Sequence, residues 1–215
     1  MTDLRFPDTQ GYADLATLVR RARQADPEAA VRLQAVDRVL RVWIGVLPGH
    51  GLFADGAAIG VRGIELAAPA HPEGSLDIVC ASGALADRFA RDGAAATTLS
   101  VPPASVYAAW SGSLPGVGGW TSAGTVTPGR LLVAARDGIA EIAEGVGGRS
   151  AGAVAVEELR RRVWGRAVDG EVPAGAAFAA YVLGFVREDD PPVAVFRAGR
   201  WVRLGTRLGH VVARP

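Results

Sequence analysis

Leu76-Asp77-Ile78-Val79-Cys80-Ala81-Ser82-Gly83-Ala84-Leu85 is the stretch on which the fold class turns. Its first half is apolar but for Asp77 and includes the β-branched Ile78 and Val79, as suits a strand. Its second half begins with a serine that can cap a helix from about Gly83 to Ala90, with Leu85 and Phe89 four apart on one face. A strand running directly into a capped helix is the signature of a chain that mixes both elements. The expected class is therefore α+β (mixed α/β): N-terminal helices with a mixed sheet, then a C-terminal helical pair followed by a β-hairpin and a terminal strand.

Upstream, Tyr12, Leu15, Val19 and Ala22 fall on one helical face, and Asp26-Pro27-Glu28 carries the start signal of a second, short helix. Val36 to Val46 reads as a strand closed by the Leu47-Pro48-Gly49 turn, and Ala57 to Leu66 as another.

Downstream, residues 93–129 hold neither a charge nor a histidine. Within them we expect a strand near Thr98 to Val101, a short helix near Ser105 to Trp110 and an irregular loop from Leu114 to Gly119. A helix starts at Thr127-Pro128 with Leu131, Ala135, Ile139 and Ile142 on one face, and ends at Gly145. The glycines at 145, 147 and 148 suggest a boundary between a mixed α/β domain (1–146) and a helix-helix-β-hairpin subdomain (147–215), either separate or packed as one unit with the first.

Val156 to Trp164 then forms a helix with Glu157/Arg161 and Glu158/Arg162 pairs at the favourable spacing. The uncharged run from Val172 to Val186 is too short for the ~20 residues of a membrane span and reads as a buried helix. Val193 to Phe196 and Trp201 to Leu204 flank a turn as a β-hairpin, and Leu208 to Ala213 adds the last strand.

Composition excludes several chemistries. All 23 basic residues are arginine, so the chain has no lysine for a Schiff base, a Walker A loop or a kinase strand. Cys80 is the single cysteine, which removes intramolecular disulfides, Cys-x-x-Cys pairs and thiolate metal cages. Asp3, Arg5, Asp8 and Asp14 stand where a secretion signal needs a basic start and an apolar run, so a cytoplasmic location, no membrane and no disulfide-linked partner are expected. A net charge of +1 gives no whole-molecule attraction to nucleic acid or anionic lipid.

No constellation of catalytic type stands out. His50, His71 and His210 lie in no recognised triad or metal spacing, and no metal or cofactor is expected. Cys80-Ala81-Ser82-Gly83 lies at a strand-to-helix turn, suited either to an exposed nucleophile or to an ordinary helix cap; a hydrolase of unrecognised type would use it.

Two surfaces remain. The uncharged segment offers Trp110, Leu114, Pro115 and Trp120 as contact residues for a protein partner or for self-association. The C-terminus offers Arg197, Arg200, Arg203, Arg207 and Arg214 with Trp201 and Phe196, a set able to bind phosphates and stack bases, so that nucleic acid is the alternative partner.

Trp110, Leu114-Pro115 and Gly119-Trp120, with Val163-Trp164-Gly165-Arg166 and Gly199-Arg200-Trp201-Val202-Arg203-Leu204, resemble segments of uncharacterised proteins of high-GC Gram-positive bacteria. The resemblance implies a cytosolic compartment and brings no activity with it. The leading expectation is a non-enzymatic protein that works by protein-protein contact.

Overall fold

The computed structural model describes residues 2–51, 54–70, 75–147 and 152–215. The chain is α+β and divides into two compact units, one of residues 1–46 and 60–112, the other of residues 47–59 and 113–215.

In the first unit, α1 (Thr9–Ala25) starts where Asp8 accepts hydrogen bonds from the Gln10 and Gly11 amides, and it buries Tyr12, Leu15, Leu18, Val19 and Ala22. The Asp26-Pro27-Glu28 signal does not start a helix. The Asp26 carboxylate accepts from the Glu28 amide at 2.9 Å and the Asp26 carbonyl from the Ala29 amide, so the same side-chain chemistry that caps a helix closes a turn here. That turn delivers the chain into β2 (Ala30–Val36), and a two-residue turn with Asp37 at φ +51° leads to β3 (Val39–Leu47). The strand expected from Val36 to Val46 is β3, which starts at Val39; Val36 ends β2 and lies opposite Val39.

The sheet of this unit runs β5 (Ser75–Ala81), β2, β3, β4 (Ala58–Glu65), and β2 is antiparallel to both β3 and β5. Alternation along β2 buries Val31, Leu33 and Ala35. Next, α2 (Ser82–Asp92) leaves β5 directly; its N-cap is Ala81, which makes no side-chain cap bond, so Ser82 is the first helical residue rather than the cap. β6 (Thr98–Ser100) pairs antiparallel with β1 (Asp3–Arg5). Tyr12 meets Phe6 and Phe89 edge-on at 5.8 and 5.4 Å, and its hydroxyl donates to Asp92 at 3.1 Å, which ties α1 to α2.

In the second unit the sheet order is β12 (His210–Ala213), β11 (Trp201–Gly205), β10 (Val193–Ala198), β7 (Thr121–Val126), with adjacent strands antiparallel. Gly199 at φ +57° closes the β10–β11 turn, a conformation that glycine adopts without strain. α3 (Pro128–Gly147), α4 (Ala153–Trp164) and α5 (Ala174–Val182) pack together, and β8 (Ala167–Asp169) pairs with β9 (Val172–Pro173) between α4 and α5. Trp164 stacks on Phe178 at 4.3 Å. Ala176, Ala177, Ala179 and Ala180 of α5 are fully buried, as the uncharged run at 172–186 led us to expect.

Residues 47–59 belong to this unit. Leu47 packs with Val163, Trp164 and Ala174, His50 bridges Asp55, and the Gly56 amide and Ala57 carbonyl hydrogen-bond to the Arg214 backbone. The boundary expected at 146/147 falls at the end of α3, inside the second unit; residues 148–151 lie outside the described set. The ion pairs of α4 also differ from the expected ones. Glu158 binds Arg161, whereas Glu157 faces His50 and Arg162 faces Glu141. The helix expected near Ser105 is a single 3-10 turn, Ala109–Gly112.

Candidate interaction surface

Of the residues picked out in the uncharged segment, Trp110 is not at the surface. It is 4% exposed, and its ring lies so close over Gly45 of β3 that a Cβ there would come within 2.5 Å of the indole Nε1. Trp110 therefore holds the 3-10 turn against the first unit's sheet. Leu114 and Pro115 are half-buried, and so is Trp120, whose Nε1 donates to the Gly116 carbonyl at 3.2 Å.

Trp120 leads into β7, a strand that the sequence did not signal. β7 is the end strand of its sheet, with β10 as its one neighbour. Thr121, Ser122, Ala123, Gly124 and Thr125 are all exposed, and none carries a charge. Ala123 and Gly124 together oppose Val195, a β-bulge in which Gly124 takes φ +98°.

The end strand of the first unit's sheet, β5, is treated differently. The Val106 amide donates to the Val79 carbonyl on it, and Asp77 accepts a two-point hydrogen bond from Arg32 and another from Gln34. Charge and covering chain are common guards of sheet edges; among the described residues β7 has only its bulge.

One face of the second unit's sheet carries Phe196 of β10 opposite Arg203 of β11. The Arg203 guanidinium lies 4.4 Å from the Phe196 ring centroid and 4.7 Å from that of Trp120, a cation over two aromatic rings. Two of the C-terminal arginines are engaged by acids. Arg197 pairs with Glu171, and Arg214 pairs with Asp55 at 3.3 Å while lying 6.0 Å from the Trp201 ring centroid. Arg200 and Arg207 are exposed and make no ion pair among the described residues.

The turn after β5 offers no activated nucleophile. Cys80 is fully buried, its thiol donates towards the Val31 carbonyl at 3.6 Å, and burial pushes its pKa up to about 12, opposite to the shift that makes a thiolate. Ser82 is 1% exposed. His50 and His210 both belong to the second unit, and His71 lies outside the described residues. Among the described residues no three metal-ligating side chains gather, and no helix is long and apolar enough to cross a membrane. Sequence reasoning picked Trp120 but not Phe196–Arg203 as its partners, because a cross-strand register sets that contact.

Residues 1–112 match the model of a family described as a domain of unknown function, DUF8010, and residues 115–215 match that of a second, DUF8185. No curated protein matches the chain. Among solved structures the chain is similar to a DNA polymerase sliding clamp from Pseudomonas aeruginosa crystallised with a ligand, at 11% identity and a TM-score of 0.49. That likeness covers 100% of this chain and 64% of the clamp chain, so the chain spans a little under two thirds of the clamp's length.

Proposed function

We propose that this chain, which belongs to the DUF8010 family through residues 1–112, is a protein-interaction module that associates with a second copy of itself along β7. The observation that carries the reading is an edge strand whose first five residues are exposed, uncharged and, among the described strands, paired on one side alone. Unpaired amides and carbonyls along such an edge are a template for another strand. A two-fold axis would set Thr121-Ser122-Ala123-Gly124-Thr125 against the same residues of the other copy, with no like charges to oppose the pairing. Pairing β7 with the same strand of one other copy occupies that edge on both, so the assembly closes at two copies.

Light scattering on the size-exclusion peak tests this. The wild type runs as a dimer at low and at high salt, since an uncharged edge has little for salt to screen. Ser122→Lys with Thr125→Lys places like charges on both copies and weakens the dimer by at least about tenfold, or about 1.4 kcal/mol, with an unchanged circular dichroism spectrum. A monomeric wild type, or a folded double variant that dimerises equally well, refutes the reading.

A further inference from the structure

Arginine is always charged and carries five N–H donors in one plane. Several of the arginines that this chain half-buries are matched with an acid. Arg32, Arg62 and Arg214, each with a side chain at most 20% exposed, pair with Asp77, Asp14 and Asp55. Arg203 is also half-buried, yet among the described residues no carboxylate reaches it, and its Nε is buried without a hydrogen-bond partner.

Its surroundings fix how it could be used. The Arg203 guanidinium carbon lies 4.7 and 4.4 Å from the Trp120 and Phe196 ring centroids, contacts that restrain it without supplying a hydrogen-bond acceptor or a counter-charge. No acidic residue occurs from Pro191 to the last residue, while Arg200 and Arg207 add exposed positive charge to the same strands and turns. Desolvation by burial lowers the Arg203 pKa, the direction expected for a cation missing its counter-charge.

We infer that Arg203, held against Trp120 and Phe196, is the receptor for an oxyanion, a carboxylate or a phosphate, that docks on this face of the C-terminal sheet. The planar fork matches the spacing of two oxygens on either group, and the aromatic contacts hold it in place before the ligand arrives. This inference does not depend on the pairing of β7.

His210 supplies the readout. Its pKa is lowered by burial and then by the charge of Arg203, so an anion on Arg203 must raise it. The three histidine imidazole signals are followed by NMR against pH, with His210 assigned from a His210→Gln variant. The titrations are run in chloride, with inorganic phosphate added in one arm and acetate in the other.

Either anion raises the His210 pKa by roughly half a unit; phosphate alone identifies a phosphate ligand, and acetate alone a carboxylate. Arg203→Gln raises the His210 pKa without any anion and abolishes the response. Trp120→Leu keeps the charge but loosens that hold, and weakens the apparent affinity severalfold. No response to either anion in the wild type, or an undiminished response in folded Arg203→Gln or Trp120→Leu, overturns the assignment.

Discussion

The Tyr12 ring is 3% exposed and its hydroxyl donates to Asp92. Burial first, and then that bond and the Asp92 charge, push its pKa up to about 12, and burial pushes Cys80 to about the same value. Both groups ionise more easily in the unfolded chain. Their contribution to stability is intact below the unfolded-state values and is lost as pH climbs through the folded ones. The melting temperature therefore falls across the alkaline range. In Tyr12→Phe the fall between about pH 10 and pH 12 is shallower than in the wild type. An unchanged slope in thermal melts followed by circular dichroism would remove the phenol from the explanation.

Among the helices of the second unit, glycine is used where one helix needs room for another. A Cβ at Gly138 of α3 would lie 2.4 Å from Cζ3 of Trp164, while a Cβ at Gly129 in the same helix would meet nothing within 4 Å. Gly138→Ala is expected to cost about 1–3 kcal/mol by forcing Trp164 off its stack with Phe178. Gly129→Ala is expected to be neutral or to add up to about 1 kcal/mol through the unfolded chain. Urea unfolding of the two variants checks the contrast, and equal effects would mean that the Trp164 contact does not constrain α3.

The same scale explains what could be read beforehand. Helices α1, α3 and α5 and the β10–β11 hairpin were legible because periodicity, caps and turn residues agreed. β2 was not, because Asp26-Pro27-Glu28 closes a turn with the chemistry that also starts helices. β7 was not, because Thr121 to Thr125 are exposed on both faces and leave no alternation to detect. The contact surface was half legible: Trp120 was chosen for its uncharged setting, but Trp110 shares that setting and is buried. Composition cannot distinguish an aromatic that covers a sheet from one that faces water.

Across the whole molecule, the gap between the two family matches, at residues 113 and 114, meets the boundary between the units at 112/113. The correspondence is incomplete, because residues 47–59 lie within the first match and fold with the second unit. Expressed separately, residues 1–112 would carry a segment whose partners, Val163, Trp164 and Arg214, are missing. Residues 113–215 would expose the sites it fills. Each fragment alone is expected to be poorly soluble. The two produced in one cell are expected to co-purify through a tag on either; independent solubility with no co-purification would show that the segment is dispensable. The excursion at 47–59 thus leads us to expect that a chain nicked at the 112/113 junction still runs as one particle, because Leu47 and the Gly56–Ala57 backbone keep their partners beyond the nick.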